Sequence, residues 1–377
     1  MADQTGMSRR GFMAGVSSAS AAAWMGQKPA RAAGAGDDLR VGIIGVGGRG
    51  GGVLGAIHKS PGVRVTAICD THAGRLNSAA GTVAEDKPRL FSDYRDLIDY
   101  PELDAIFVET PCYLHAEMAI AVMKSGRHCY AEKPMALNVP DLNRMVATQK
   151  QAGVIYQVGT QLRYASPWQP AIRAILEGQI GPPILIRAHR HNVGDYPSHK
   201  LWFFKRALSG DTILEQAVHE FDFFCWIFGS KPPQRASGFG GLGVHKQPEW
   251  RDTMDYYTLN LDFGENQQVS YNHSWISSPK TYCDGRQEVV YGPKGAIDLE
   301  NGKIFMKEGG DPISVSEEPK GNSTQLAVDD FFRCIRENDE PLANAEAGRN
   351  GALCGLLGLK AIDEERVVYL DELLKEG

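Results

Sequence analysis

The run Gly45-Val46-Gly47-Gly48-Arg49-Gly50 fits the pattern G-x-G-x-x-G, and its surroundings constrain the fold more than any other stretch. An apolar segment at residues 40–44 precedes it and a helical pattern at 52–59 follows. A second apolar segment, 63–69, ends at Asp70, 20 residues past Gly50. A strand that turns through glycines into a helix brings backbone close to a pyrophosphate, and the helix N-terminus offers N–H donors to the anion. An acid after the second strand accepts hydrogen bonds from the adenine ribose hydroxyls and repels a 2′-phosphate. Gly45, Gly47, Gly48, Arg49, Gly50 and Asp70 are therefore read as cofactor-binding, with NAD favoured over NADP. Arg75 opposes that preference, because a guanidinium neutralises a phosphate. Gly51 and Gly52 are poor helix formers and predict a helix that starts late.

The same alternation continues. Short apolar segments at 105–109, 128–131 and 154–158 are separated by helical patterns at 73–80, 94–98, 115–124 and 139–151. That order predicts a doubly wound parallel sheet, a Rossmann domain over residues 38–160. Beyond it the pattern changes to a strand at 184–192, one long helix at 212–228, and strands at 256–263, 267–275 and 287–291. Gly264-Glu265-Asn266 joins two of these strands as a hairpin. Helices at 325–336 and 345–364 follow. The fold class is α/β, with a C-terminal α+β domain over 161–377 built on a large, mostly antiparallel open sheet, its late helices packing back. Alternation in the hairpin strands predicts an apolar face, which a homodimer or homotetramer would cover.

Ala131-Glu132-Lys133-Pro134 follows a predicted strand at the carboxyl edge of the sheet, where ligands of such sheets bind. Oxidising a hydroxyl needs a base for its proton as hydride leaves, and the reverse needs an acid. A partly buried lysine near a cationic nicotinamide would have a lowered pKa and could serve as both. Position alone leaves a solvated surface lysine equally open.

The run Glu109-Thr110-Pro111, then His115, then Ser125-Gly126-Arg127-His128-Cys129-Tyr130-Ala131-Glu132-Lys133-Pro134 resembles the Gfo/Idh/MocA family, as do Asp93-Tyr94-Arg95 and the glycine run. The resemblance implies that Lys133 binds substrate and is catalytic, that Pro134 follows a cis bond, and that Thr110, Pro111, His115, Glu132, Lys133 and Gln161 join the cofactor site. A second signature, residues 210–219 followed by Asp222 and Trp226, is similar to the family's Asp-x-Gly-x-His helix. Here Glu215 holds the acid position, Ala217 the glycine position and His219 the histidine. Four apart on one helix, Glu215 and His219 would face one cleft. The resemblance assigns His219 to the substrate hydroxyl and Glu215 to orienting a catalytic partner. The same spacing would also suit a shared cation, but the family needs no metal and none is expected.

Arg163, beyond the last strand of the first domain, and His191, Tyr196 and Trp202, in a segment that also holds Arg190, Asn192, Asp195, His199 and Lys200, are candidate substrate-binding residues. Such a mixture suits a sugar, with hydrogen bonds to hydroxyls and an aromatic face for C–H groups. An exposed loop over the second sheet reads equally well. The expected function is hydride transfer between NAD and a secondary carbon of a sugar or cyclitol. Two alternatives stay open: an NAD-retaining glycosidase working by transient oxidation and elimination, and a non-catalytic binding protein on a Rossmann scaffold.

The first 32 residues carry Arg9, Arg10, Lys28 and Arg31 against Asp3, a net of +3; with −6 for the chain, the remainder is −9. So acidic a body has no evident affinity for nucleic acid or anionic lipid, and no apolar run reaches the roughly 18 residues of a membrane span. Ser8-Arg9-Arg10-Gly11-Phe12-Met13, a weakly hydrophobic stretch and Ala30-Arg31-Ala32 read as a twin-arginine (Tat) signal over residues 1–33. Export in the folded state implies a periplasmic protein that carries its cofactor with it. The seven cysteines include no CxxC pair, and Cys69, Cys112 and Cys129 lie in or beside apolar stretches, so buried thiols are expected.

Overall fold

The computed structural model describes residues 38–196, 200–279, 285–315 and 321–377. The candidate export segment and His199 lie outside the described residues.

Six strands, β1 (Leu39–Ile44), β2 (Val63–Cys69), β3 (Arg89–Phe91), β4 (Ala105–Val108), β5 (His128–Ala131) and β6 (Tyr156–Val158), form one sheet in the order β3-β2-β1-β4-β5-β6. Every pairing is parallel. Helices α1 (Gly48–Lys59), α2 (Ala73–Thr82), α3 (Tyr94–Asp99), α4 (His115–Lys124) and α5 (Val139–Ala152) supply the crossovers. β4 is Ala-Ile-Phe-Val with all four residues buried, as a strand covered on both faces requires. Strand order reverses about β1, so β2 runs on one side of it and β4 and β5 on the other.

The second sheet has nine strands: β7 (Leu185–Val193), β8 (Arg235–Gly241), β9 (Tyr256–Gly264), β10 (Gln267–Ser277), β11 (Gly285–Gly292), β12 (Gly295–Asp298), β13 (Lys303–Met306), β14 (Ile313–Ser314) and β15 (Val368–Tyr369). β7 and β10 pair in parallel and the other neighbours antiparallel. The β9–β10 hairpin turns through Glu265 and Asn266, both at positive φ, as a tight twisted hairpin requires. Helices α6 (Trp168–Leu176), α7 (Arg206–Ser209), α8 (Asp211–Glu215), α9 (Val218–Ile227), α10 (Ser323–Glu337), α11 (Ala345–Asp363) and α12 (Leu370–Leu374) complete the chain. Aromatic rings fill the space between sheet and helices: Tyr271 lies 5.5 Å from Phe221 and 5.7 Å from Phe224, centroid to centroid.

Late in sequence, α10 returns to the first domain. Phe331 meets Phe107 edge-on at 5.3 Å, and Phe107 stacks on Tyr130 at 4.9 Å, so the first domain's core is completed by residues more than 200 positions downstream.

Two expectations need correction. Helix α1 begins at Gly48, not late, because the loop's turn already sets its first residues; Gly51 and Gly52 lower its intrinsic stability without ending it. The single helix at 212–228 is two helices. Gln216 and Ala217 break it, and the Ala217 N–H reaches back five residues to the Thr212 carbonyl at 3.3 Å. Helix α6 and strands β3, β8 and β12 to β15 had no distinct reading in the sequence.

Candidate active site

At the carboxyl edge of the first sheet, β1 runs into Gly45, whose φ is +90°; a Cβ there would lie 2.7 Å from the Glu109 carbonyl oxygen. At Gly50 a Cβ would lie 2.0 Å from the Gly45 carbonyl oxygen. Both positions therefore demand glycine. Gly48 has open space where a side chain would stand, and the N-terminus of α1 has no side-chain cap. Its first N–H groups are left facing a cavity of about 750 Å³, the arrangement that receives a phosphate.

Every residue read as cofactor-binding lines this cavity: Gly45, Gly47, Gly48, Arg49, Gly50, Asp70, Thr110, Pro111, His115, Glu132, Lys133 and Gln161. Their tasks within the fold differ. Asp70 Oδ2 accepts from the Val46 N–H at 2.9 Å and Oδ1 from the His72 N–H at 2.8 Å. Each oxygen keeps lone-pair capacity for a further donor. Arg75 stands in the same wall. Arg49 is tied by its Nε to Glu132 Oε1 at 2.6 Å and by Nη1 to Thr324 Oγ1 at 2.7 Å, so it braces the loop against α10. His115 is also a brace: Nδ1 meets the Pro134 carbonyl and Nε2 the Thr110 carbonyl, each at 2.8 Å. Burial pushes its imidazole below the usual range. With one ring N–H to donate, the neutral ring bonds one of the two carbonyls and packs against the other, between the Thr110-Pro111 turn and the cis Lys133–Pro134 junction.

The far end of the cavity holds Lys133, Glu215 and Trp202. Lys133 Nζ donates to the main-chain carbonyl of Glu215 and, at 3.0 Å, to its carboxylate Oε1. Glu215 Oε2 accepts from the Gln216 amide. The break between α8 and α9 makes this possible. Carbonyls that a continuous helix would spend internally are released, and that of Glu215 takes Lys133 while that of Gln216 takes Arg190 Nη1 at 3.2 Å. Burial alone would lower the Lys133 pKa, but Glu215, with Cys112 and Glu132, outweighs it and the ammonium is held above its ordinary value. The sequence expectation of a lowered lysine is thus corrected for the protein by itself.

His219 follows the break, at the start of α9, rather than sharing one helix face with Glu215. It is buried and, unlike Glu215, does not line the cavity, which corrects the expectation that the two enter one cleft; its Nδ1 has no partner among the described residues. Burial, then the nearby Lys133, Arg190 and Arg286 cations, push its imidazole well below the usual range. Behind it Glu220 takes Arg286 at 2.9 Å and Arg190 at 3.5 Å. Among the described residues no group of three or more His, Cys, Asp and Glu side chains is arranged to hold a metal.

Two models of one family match the chain: the oxidoreductase family with NAD-binding Rossmann fold, GFO_IDH_MocA, over residues 39–160, and the GFO/IDH/MocA C-terminal domain over residues 168–298. The chain belongs to the Gfo/Idh/MocA oxidoreductase family. It is 25% identical to a myo-inositol 2-dehydrogenase of Thermotoga maritima over 349 residues, covering 89% of this chain and 100% of that one. It is 26% identical to a 1,5-anhydro-D-fructose reductase of Ensifer adhaerens over 320 residues, 82% and 91% of the two chains. The solved scyllo-inositol dehydrogenase of Lactobacillus casei, with bound NAD(H) and scyllo-inositol, superposes with a TM-score of 0.75 at 18% identity over 89% of this chain and 100% of that one.

Within this Gfo/Idh/MocA oxidoreductase, three of the four candidate substrate residues stand elsewhere. Arg163 forms a two-pronged buried ion pair with Asp222, Nε–Oδ2 2.6 Å and Nη2–Oδ1 2.8 Å, stacks over Trp226, and gives Nη1 to the Leu342 carbonyl. It ties the domain junction to α9, because a guanidinium at 4% exposure must be matched within the protein. His191 lies on β7, bonded to Ser274 Oγ at 2.8 Å and stacked on His189. Tyr196 is buried against Phe203 and Trp275. Trp202 alone of the four lines the cavity, edge-on to Phe203. Sequence reasoning passed over Cys112 and Phe203, which share that wall. Cys112 sits between two residues already chosen, Pro111 and His115, and that spacing was the available signal. Nothing in the sequence marked Phe203. All six described cysteines are free and buried. Among the described residues no helix is long and apolar enough to cross a membrane.

Proposed function

We propose that this oxidoreductase uses NAD to carry hydride to or from a secondary carbon of a sugar or cyclitol. The observation that carries the reading is Lys133: its Nζ, anchored by Glu215, stands in the same cavity as the glycine loop. The residues fit a dinucleotide, since Gly48 leaves room at the open N-terminus of α1 and Asp70 retains acceptor capacity. When bound, the nicotinamide supplies the hydride acceptor or donor. As the neutral amine Lys133 takes the hydroxyl proton at Nζ during oxidation, and as the ammonium it returns that proton to the carbonyl oxygen during reduction. Glu215 fixes Nζ in place and favours its charged form. His219 lies outside the cavity lining, kept neutral by its surroundings, and its unpartnered Nδ1 is what supports a hydrogen bond to a substrate hydroxyl. Trp202 offers a ring face to substrate C–H groups. The polyol class draws support from relatives named for an inositol and an anhydro sugar.

Mass spectrometry of the small molecule released on denaturation, followed by a panel of cyclitols and sugars read at the nicotinamide absorbance, tests this. NAD and one substrate giving stoichiometric reduced cofactor are expected. A free sugar and aglycone with no net reduction, and solvent deuterium entering beside the oxidised carbon, would replace net hydride transfer by transient oxidation and elimination.

Two further parts of the reading concern place and assembly. The twin-arginine run supports Tat export, so Arg9→Lys with Arg10→Lys is expected to leave folded protein in the cytoplasm; unchanged periplasmic protein on fractionation overturns it. The alternating apolar face of the hairpin, Tyr257, Leu259, Leu261, Phe263, Val269 and Tyr271, is buried within the chain and needs no partner; exposed Phe239, Tyr256 and Tyr291 on the nine-stranded sheet are what support a homodimer or homotetramer, and a monomer in sedimentation at micromolar concentration overturns that.

A further inference from the structure

One ionisable side chain in the cavity wall is left unmatched. Glu109 follows β4 directly and lines the cavity, yet both carboxyl oxygens are buried with no hydrogen-bond partner among the described residues. Its neighbours are committed elsewhere. Glu132 Oε1 takes Arg49 Nε and Oε2 takes the Lys133 N–H at 3.1 Å. Arg49 Nη2 is also buried without a partner, and no ion pair joins Arg49 to Glu109. The Glu109 carboxyl is thus buried unsatisfied, at a net cost to the fold. Burial and the Glu132 carboxylate push the Glu109 carboxyl well above the usual range, against the pull of Arg49.

The topology says what this gap serves. β1 is flanked by β2 and β4. Asp70 stands just past the end of β2 and Glu109 just past the end of β4, so two carboxyl groups lie on opposite sides of the glycine loop along one sheet edge. A dinucleotide laid across that edge has two ribose groups, one on each side of its pyrophosphate. Asp70 faces the side of the adenine ribose, and Glu109 faces the side on which β5 delivers Lys133. A ribose hydroxyl both donates and accepts, and so satisfies a carboxyl oxygen in either protonation state.

We propose that Glu109 is a cofactor ligand that takes a hydroxyl of the nicotinamide-side ribose, the counterpart across β1 of Asp70 on the adenine side. This rests on the NAD reading above. It makes Glu109 a residue kept for binding at the expense of the free protein's stability.

Titration calorimetry of the full chain, stripped of bound nucleotide, with NAD, ADP-ribose and ADP, together with melting temperatures of the stripped proteins, tests the assignment. ADP carries only the adenine ribose. Glu109→Ala is expected to bind NAD and ADP-ribose about tenfold more weakly, the loss of one buried hydrogen bond, with ADP affinity unchanged and the melting temperature equal to or above that of the parent. Glu109→Gln, which still donates and accepts, is expected to restore most of the affinity. Unchanged NAD and ADP-ribose affinity in Glu109→Ala, an equal loss for ADP, or a lowered melting temperature overturns the proposal and leaves the functional reading standing. A parent chain that binds ADP but not NAD overturns the functional reading and this assignment with it.

Discussion

At the glycine-loop end of the cavity the wall is made by main chain, whereas at the Lys133 end it is made by charge. The first end is set by two positions, Gly45 and Gly50, where a Cβ would strike backbone. The second is set by the Lys133–Glu215 pair at a broken helix, with a separate Arg190–Glu220–Arg286 cluster outside the cavity lining and Arg190 bonded to the Gln216 carbonyl. Steric requirements of the first kind are local and tolerate few residues. Electrostatic requirements of the second kind are distributed, so one substitution changes the chemistry before it changes the shape. The two ends should therefore fail differently when altered.

The largest effect is expected at the charged end. Lys133→Met keeps much of the side-chain volume and removes the proton carrier, and turnover should fall by a factor of about 10² to 10⁴. NAD affinity, measured by titration, should stay within a few-fold, since the glycine loop is untouched. Near-normal turnover in this variant would remove Lys133 from the mechanism.

Gly50→Ala reverses that pattern. The added methyl meets the Gly45 carbonyl oxygen at 2.0 Å, and backbone must move, at a cost of about 1–3 kcal/mol. NAD binding and the melting temperature should drop together, while substrate turnover at saturating NAD should suffer least. A variant with unchanged melting temperature and NAD affinity would show that the loop is looser than its contacts require.

The third test sharpens the electrostatic half. Glu215 is the main neighbour that raises the Lys133 pKa against burial. Oxidation uses the neutral amine and gains as pH rises towards that pKa, whereas reduction uses the ammonium and holds until pH passes it. Glu215→Gln removes the raising charge. The rising limb of the oxidation profile should move to lower pH, and the falling limb of the reduction profile with it. Profiles that superpose with those of the parent would separate Glu215 from the lysine's titration.

The two ends also differ in how far the sequence reveals them. The glycine spacing, the strand before it and Asp70 lie within one βαβ unit, so their geometry is local and readable in the residues. Position at the ligand-binding edge left Lys133 open between site and surface, and the resemblance of Glu-Lys-Pro to the family motif decided it. The Glu215–His219 segment was misread as continuous helix, because the break depends on Lys133 and Arg190, 82 and 26 residues away in sequence, capturing its carbonyls. Arg163 was misread as a ligand for the same reason: Asp222, its partner, lies 59 residues on. Trp168–Leu176 escaped notice as a helix because its nine residues follow Pro167 with no acidic first turn or capping side chain to mark a start. The short outer strands β12 to β15 carry too few residues for alternation to register.

The smallest effect is expected at Asp70, where the two kinds of wall meet. Its carboxylate is held by two main-chain N–H groups, from Val46 and His72, so it belongs to the loop's shape as well as to its charge. Asp70→Asn keeps an acceptor for one of those groups and removes the negative charge, a gentler change than Asp70→Ala. Arg75 lines the same stretch of wall and remains as a cation to meet a 2′-phosphate. NAD should bind somewhat more weakly, through loss of a charged acceptor for the ribose hydroxyls, and NADP somewhat more tightly, through loss of repulsion. Charge-assisted hydrogen bonds are worth about 1.5–3 kcal/mol when buried, and screening at the cavity mouth reduces this, so the NAD-to-NADP affinity ratio should fall by roughly tenfold. Paired titrations of both cofactors to parent and variant, at two salt concentrations, provide the check: the change in ratio should shrink at the higher salt if charge is its source. A ratio that falls equally at both would assign the discrimination to the loop's shape, and a parent that binds NADP more tightly than NAD would overturn the preference itself.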